Sequence, residues 1–238
     1  TVTTPQTSKP RTVIEMLVLT LATFVVAIFA GIVFIVPMVT LGFDIQTTIV
    51  LVGATAISQI AMFGLGYAYL RYRGLSVSIK TPTRSDVGYV IGGVLAALVA
   101  AVALSVLLMT LDLLPGSVIS ETATTNPTYL LGLAALSVLI VAPVEEFVFR
   151  GIIQGRLRNQ FGPVPAIIGA SLLFGSMHLV NYTGNLVPII AGALLISAIG
   201  AIFGTVYERT GNLFVPVVVH AIYNVVLLVT SYVATTSL

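Results

Sequence analysis

Two adjacent carboxylates, Glu145 and Glu146, lie near the end of an apolar run that extends from Tyr129 to Val144, and Arg150 follows one helical turn later. Charged side chains are costly inside a membrane-spanning segment, and they usually mark a functional site there. We therefore interpret this cluster as the centre of a site that performs chemistry.

The two histidines of the chain, His178 and His220, also lie within apolar runs. Phe174 precedes His178, and Asn224 follows His220, by the four residues that place side chains on one helical face. Peptide hydrolysis needs a base that activates water, a proton carrier for the leaving amine and donors for the developing oxyanion. Carboxylate, imidazole and amide groups that converge in space would meet these requirements.

The two glutamates point in different directions, because successive helical residues are 100° apart. Glu146 and Arg150 are spaced i, i+4, which favours an ion pair that holds Glu146 ionised. Glu145 lacks such a partner on its own helix and is predicted to face a cavity and bind water. Pro143 cannot donate a backbone hydrogen bond, so we expect a kinked helix just before the site. A purely structural tie between Glu146 and Arg150 is the competing interpretation.

The composition indicates a polytopic membrane protein. Hydrophobic residues make up 58% of the chain and charged residues 8%, with a mean hydropathy of +1.11, whereas soluble domains carry about 25% charged residues. The chain has no cysteine, which excludes disulfides, thiolate metal sites and cysteine-protease chemistry. Nothing in the chain indicates a nucleic-acid partner.

The apolar runs predict an all-α bundle of about seven transmembrane helices, with six to eight as the range, in a single domain over residues 1–238. The first run is expected to be a spanning anchor, because it exceeds the length of a signal-peptide core. The predicted helices are 13–41, 47–70, 86–114, 128–161, 164–181, 186–208 and 213–235.

The basic residues predict the orientation of these helices. If the amino terminus is cytoplasmic, every Lys and Arg falls on the cytoplasmic side, as the positive-inside rule requires, and the carboxyl terminus lies outside. Helix length places Glu145 and His178 at one depth, roughly 22 to 26 Å from the turn at 161–163. We expect their side chains to share a chamber that is accessible from the cytoplasm.

Small residues recur at four-residue spacing on two of the predicted helices, which favours close helix packing. The pairs are Gly88 with Gly92, and Gly200 with Gly204.

Three motifs together resemble those of the CPBP family, which comprises CAAX prenyl proteases of the Ras-converting type and bacteriocin-processing proteins, also called ABI proteins. The family motifs EExxxR, FxxxH and HxxxN match residues 145–150, 174–178 and 220–224 without a substitution. The order, the spacing and the placement on helices all fit, within residues 128–235.

The resemblance implies a glutamate-type intramembrane endopeptidase. It implies that Glu145 activates water together with His178, that Glu146 and Arg150 support the site, and that His220 and Asn224 stabilise the oxyanion. A CAAX-type enzyme would remove a carboxyl-terminal tripeptide after a lipidated cysteine. A member of the prokaryotic processing branch would cut a peptide, a pheromone or a protein-sorting tail. The expected partners are thus a membrane-embedded peptide or lipidated protein substrate and the lipid bilayer.

Three alternatives stay open. No cofactor is expected, but Glu145, His178 and His220 are the residue types that bind a divalent metal such as zinc, although the HExxH helix is absent. A proton-coupled transporter would also bury Glu, His and Arg side chains. A scaffold with a protease fold would bind membrane partners without hydrolysis.

Overall fold

A computed structural model of the protein describes residues 8–237. Within these residues, seven helices are long and apolar enough to cross a membrane, and one helix, α4, is short. The helices are α1 (Lys9–Thr40), α2 (Thr48–Tyr72), α3 (Arg84–Thr110), α4 (Val118–Thr125), α5 (Thr128–Phe161), α6 (Pro163–Met177), α7 (Leu186–Thr210) and α8 (Phe214–Thr236). A 3₁₀ turn over Leu179–Asn181 continues α6.

This architecture confirms the predicted polytopic helical bundle, and the protein is an integral, multi-pass membrane protein. The largest difference in boundaries concerns α3. It begins at Arg84 because Thr83 and Asp86 form a reciprocal capping box, which satisfies backbone donors at the helix start. It ends at Thr110, before the predicted residue 114, where the backbone of Asp112 turns with a φ of 55°.

Helix α5 is the centre of the bundle. In its most apolar stretch 44% of the residues are buried, against 17 to 22% in α1, α2 and α3. It packs against α2, α6 and α8, whereas α3 lies against α7 and α8. Two π-helical segments, Ser137–Val141 and Phe147–Gln154, flank the short α-helical stretch that contains both glutamates. Pro143 lacks an N–H, so the predicted irregularity before the site takes the form of a widened turn.

A two-stranded antiparallel sheet lies at one end of the bundle and was not predicted. Strand β1 (Gly116–Ser117) pairs with β2 (Tyr182–Thr183). The hydroxyl of Thr183 also donates to Glu121 Oε1 at 2.6 Å. The segment between α3 and α5 is thereby attached to the loop between α6 and α7. The end of the bundle at which these two segments meet carries no Lys or Arg, and we call it the non-basic end.

The opposite, basic end carries every Lys and Arg except Arg150. Glu15 of α1 joins three helices there, because it contacts Arg73 at 3.0 Å and Arg156 at 3.2 Å and accepts a hydrogen bond from Tyr69 at 2.8 Å. A cluster of buried apolar side chains fills the space between this end and the glutamates. Its members include Met16, Met62, Leu70, Val148, Phe149, Ile152, Ile153 and Leu157.

The packing prediction for glycines is wrong for Gly88 and Gly92. A Cβ atom built at either residue meets nothing within 4 Å, whereas one at the neighbouring Gly93 would lie 3.1 Å from Val206 and Val219. The close helix contact on α3 is thus made at Gly93 and not at the two glycines of the four-residue repeat. Gly200 and Gly204 do lie at a close approach, which involves the side chains of α5.

Candidate functional site

Glu146 is the buried anchor of the site. Its Oε2 lies 3.2 Å from Arg150 Nε on the same helix, which confirms the predicted pair. Its Oε1 lies 2.8 Å from His220 Nδ1 on α8. A carboxylate can only accept hydrogen bonds, so Nδ1 donates. Glu146 thus connects the first motif with the third.

Arg150 is buried and connects α5 with α7. Its Nη2 donates to the backbone carbonyl of Gly200 at 2.9 Å, and its guanidinium lies 4.5 Å from the ring centre of Phe174 and 5.6 Å from that of Phe203. Gly200 leaves room for this arrangement, because a Cβ there would lie 3.1 Å from the guanidinium. One turn further along each helix, Gln154 donates to the carbonyl of Gly204 at 3.0 Å.

Glu145 occupies a different environment from its neighbour. Its side chain is 12% exposed, against 0% for Glu146. Oε1 accepts a hydrogen bond from Gln59 Nε2 at 3.0 Å, and Oε2 lies 3.8 Å from His220 Nε2. The partner of Glu145 thus comes from α2 and not from its own helix, and the side chain lines a cavity as expected. The separation of 3.8 Å exceeds a hydrogen bond and allows one water molecule to bridge the two atoms.

His178 follows the last residue of α6. Its Nδ1 lies 2.9 Å from the carbonyl oxygen of Phe174, and since a carbonyl only accepts, Nδ1 carries the proton and Nε2 is left with its lone pair. The two rings are 4.7 Å apart, and Phe174 also contacts the ring of His220 at 5.9 Å. The ring of Phe174 therefore packs against both imidazoles.

Asn224 lies one turn after His220 and is fixed by a residue of α5. Its Nδ2 donates to the hydroxyl of Ser137 at 2.8 Å. The second N–H of this amide is then set in direction, because the side-chain amide is planar.

A cavity of about 490 Å³, the main cavity, brings these groups together. A second cavity of about 380 Å³, the lateral cavity, lies between α1, α2 and α6, and it shares Thr55, Gln59, Glu145, His178 and Asn181 with the first. Burial raises the pKa of Tyr182, a wall residue between two spans, so its hydroxyl stays protonated. Polar residues that line the main cavity are Thr55, Gln59, Ser117, Ser137, Glu145, His178, Asn181, His220 and Asn224.

The structure thus places four of the predicted site residues, Glu145, His178, His220 and Asn224, on one cavity and buries Glu146 with Arg150 behind it. Sequence reasoning missed Gln59 and Ser137. Gln59 had a detectable signal, since it is an amide within the apolar run of α2, where polar side chains usually bond to another helix. Ser137 lies two turns before Glu145, on the same face.

The part of the chain that the structure describes contains no group of three or more His, Asp or Glu side chains arranged to hold a metal ion. His178 directs Nδ1 at a backbone carbonyl and His220 directs Nδ1 at Glu146. Their Nε2 atoms are the nitrogens that face the cavity.

Comparison with known proteins identifies the part of the chain that carries the site. The protein of Bacillus subtilis (strain 168) named "Uncharacterized protein YpbD" is 34% identical over 88 residues, which is 37% of this chain and 40% of that protein. The chain therefore matches less than half of the length of that relative. No solved structure matches. Residues 127–226 match the sequence profile of the family described as type II CAAX prenyl endopeptidase Rce1-like. This region begins at the start of α5 and ends within α8, so it contains all three motifs. The similarity to the type II CAAX prenyl endopeptidase family described as Rce1-like thus covers residues 127–226, the part of the chain that contains the candidate site.

Proposed function

We propose that the protein is an intramembrane endopeptidase that hydrolyses a peptide bond in a membrane-associated substrate, with residues 1–238 acting as one peptidase domain. The observation that carries this proposal is the common cavity of Glu145, His178, His220 and Asn224. The cavity combines a partly exposed carboxylate with two imidazoles and an amide, which are the groups that acyl transfer to water requires.

Glu145 is the proposed general base. It takes one proton from a water molecule while the water oxygen attacks the carbonyl carbon of the scissile bond, and this produces a tetrahedral intermediate. His178 assists by accepting a hydrogen bond from the same water at its free Nε2. The proton then passes from Glu145 to the amide nitrogen as the C–N bond breaks, so the products are a carboxylic acid and an amine.

Asn224 and His220 are the proposed partners of the oxyanion. The bond to Ser137 fixes the Asn224 amide, and the bond to Glu146 turns Nε2 of His220 toward the cavity. In this role His220 carries a proton on each ring nitrogen, so that Nδ1 donates to Glu146 and Nε2 donates to the oxyanion. Donors that are oriented before the reaction stabilise the transition state without a reorganisation cost. Glu146 and Arg150 contact neither water nor substrate in this scheme and act as positioning residues.

The proposed substrate is a peptide or a lipidated protein that reaches the site within the bilayer. The family description supports a prenylated CAAX tail, and the apolar walls of both cavities are suited to a chain that carries a lipid. The distribution of Lys and Arg supports a cytoplasmic amino terminus and an outside carboxyl terminus. A proton-coupled transporter and a non-catalytic scaffold are the alternatives that the first experiment must separate.

The test uses purified protein in detergent with a farnesylated CAAX peptide and its unmodified form. Wild-type protein should release a tripeptide from the farnesylated peptide, and Glu145→Ala and His178→Ala should not. A conservative exchange at the non-basic end, Thr124→Ser, serves as the control. Cleavage that survives both substitutions would refute the mechanism.

Reconstituted vesicles separate the other two classes. Proton-linked flux that depends on Glu145, without any peptide cleavage, would identify a transporter. Binding of a membrane protein without cleavage or flux would identify a scaffold.

A further inference from the structure

We propose that the site opens at the non-basic end of the bundle, so that it receives substrates from the extracytoplasmic side of the membrane. The sequence led us to expect access from the cytoplasm. The shape of the main cavity favours the reverse, and the opening itself can be examined whether or not the protein hydrolyses peptides.

The residues of α5 that line the main cavity extend from Glu145 toward the start of the helix only. Starting at Glu145, it includes Val141, Ser137, Leu133 and Tyr129, which recur at four-residue intervals and therefore form one helical face. This face extends about 24 Å along the helix axis. It ends near Thr128, where α5 begins at the non-basic end.

The wall from α8 runs toward the same end. After His220 it includes Tyr223, Asn224, Leu227 and Leu228, and α8 passes from the basic end to the non-basic end. At that end the cavity borders Ser117 of β1 with the two residues that follow it, and Tyr182 of β2 with Asn181 before it. The two helices and the small sheet thus line one cavity that extends from Glu145 toward the non-basic end.

The opposite direction is filled on the core side of α5. A separate apolar cavity of about 780 Å³ reaches the basic end at Ile79 and Leu213, but Glu145 and His220 do not line it. Along α5, between Glu145 and Arg156, the side chains of Val148, Ile152 and Ile153 are fully buried. They belong to the apolar cluster that includes residues of α1, α2 and α6, and close-packed interiors leave no passage for a peptide. Beyond this cluster, the contacts of Glu15 with α2 and α5 tie the basic end together.

The lateral cavity adds an entrance from the lipid. It is bordered by the outer half of α1, from Phe24 to Ile35, and it meets the main cavity at Gln59 and Glu145. A substrate anchored in the bilayer can therefore bring its scissile bond to Glu145 through this side and place the adjoining polar segment in the main cavity. Combined with the positive-inside rule, this selects membrane-anchored proteins cut on the extracytoplasmic side. This substrate class rests on the proposed peptidase activity, and it takes the place of the prenylated CAAX tail as the substrate.

The experiment exploits the absence of cysteine in the native chain. Val141→Cys and Leu228→Cys place single thiols on the wall of the main cavity. Thr124→Cys marks the non-basic end, and Asn159→Cys marks the basic end. Each variant is treated with a charged, membrane-impermeant methanethiosulfonate reagent, first on intact cells and then on inverted membrane vesicles.

We expect Val141→Cys, Leu228→Cys and Thr124→Cys to react in intact cells, and Asn159→Cys to react only in inverted vesicles. Reaction of the two cavity thiols only from the side of Asn159→Cys would overturn the proposal, and so would a lack of reaction from either side. Labelling of Asn159→Cys in intact cells would overturn the assignment of the opening to the extracytoplasmic side. Labelling does not require the protein to cleave a peptide, so this result can be interpreted even if the peptidase proposal fails.

A separate observation concerns Gln59 of α2, which lies outside the matched region of 127–226. We infer that Gln59 is a positioning residue for Glu145. Its Nε2 donates to Glu145 Oε1 at 3.0 Å, while its Oε1 is buried without a hydrogen-bond partner among residues 8–237. Buried amide oxygens are normally satisfied, so this side chain is held for its contact with Glu145. The contact fixes the carboxylate with Oε2 toward His220.

Gln59→Met keeps the length of the side chain and removes the donor. We expect kcat to fall about 10- to 150-fold, the range for losing a hydrogen bond to a charged group, with KM within about twofold. The matched control is Ser58→Ala, which removes a hydrogen bond from α2 to the Ala27 carbonyl of α1. It should lower the unfolding temperature and leave kcat unchanged. Equal loss of kcat in both variants would show that Gln59 acts only through helix packing.

If the wild-type protein cleaves no peptide, this inference is tested by the labelling rate of Val141→Cys. Gln59→Met should leave that rate unchanged, because a positioning role does not widen the cavity. A marked increase in rate would indicate a packing role and would contradict the inference.

Discussion

Glu146 Oε1 and His220 Nδ1 lie 2.8 Å apart across the contact between α5 and α8. The same carboxylate binds Arg150 with its other oxygen, and Arg150 reaches the backbone of α7. One buried acid therefore holds three helices in register around the cavity. Glu145, its neighbour in sequence, is left to face that cavity.

The two glutamates should respond differently to the same substitution. Glu146→Gln leaves Arg150 without a buried counter-charge, and we expect the free energy of unfolding to drop by about 3 to 5 kcal/mol. Glu145→Gln should change it little, while hydrolysis falls roughly 100- to 10,000-fold through loss of the base. Denaturant unfolding in detergent and peptide cleavage measure the two effects. Equal destabilisation by both variants would contradict the division of roles.

Arg150 should not tolerate replacement by lysine. Its guanidinium contacts Glu146 and the Gly200 carbonyl from two different nitrogens, and an ammonium group lacks that planar fork. We expect Arg150→Lys to lower the unfolding temperature and the activity together. Arg158→Lys is the control, because Arg158 is 54% exposed in its pair with Glu208, and exposed pairs contribute about 0 to 1 kcal/mol. The prediction fails if the two variants behave alike.

Ser137 and Asn224 should act as a unit. Ser137→Ala removes the acceptor that orients the Asn224 amide, which should reduce kcat by about fivefold, the equivalent of 1 kcal/mol. Asn224→Ala should reduce it further. The double variant should be no slower than Asn224→Ala, since the hydroxyl then has no amide to orient. Additive losses in this double-mutant cycle would exclude the proposed coupling.

Gly200 and Gly92 both belong to four-residue glycine repeats, but they should differ in their tolerance of substitution by alanine. In Gly200→Ala the new Cβ would lie 3.0 Å from the Phe174 ring and 3.1 Å from the Arg150 guanidinium. Overpacking of this kind costs about 1 to 3 kcal/mol. Gly92→Ala meets nothing within 4 Å, so its higher helix propensity should be neutral or stabilising by about 0.5 to 1 kcal/mol. Thermal unfolding of both variants decides the matter, and a stable Gly200→Ala protein would contradict the described contact.

Chelation tests the zinc alternative directly. We expect cleavage to continue after dialysis against a strong chelator. In the proposed mechanism Glu145 is the base and His178 accepts a hydrogen bond from the attacking water, so no metal ion is needed. Metal analysis of the dialysed protein provides the control. Loss of activity that returns on addition of Zn²⁺ would instead assign Glu145, His178 and His220 as metal ligands.

Much of the fold was readable from local sequence. Runs of about 20 apolar residues must form helices in a bilayer, since no other structure satisfies the backbone there, and the predicted boundaries lie within a few residues of the observed ones. The ion pair of Glu146 and Arg150 was also predictable from local sequence, because the two residues are spaced i, i+4. The sheet between residues 116–117 and 182–183 was not predictable, because two-residue strands carry no periodic signal.

The sequence alone was enough to propose Glu145, His178 and His220 as site residues, because charged and imidazole groups are costly in lipid and usually mark a function there. Their surroundings depend on how the helices pack. Gln59 at Glu145, Glu146 at His220 and Ser137 at Asn224 are contacts between different helices, and these depend on how helices rotate and pack. The direction of the cavity also depends on packing, because the apolar cluster on one side of Glu145 is assembled from four helices.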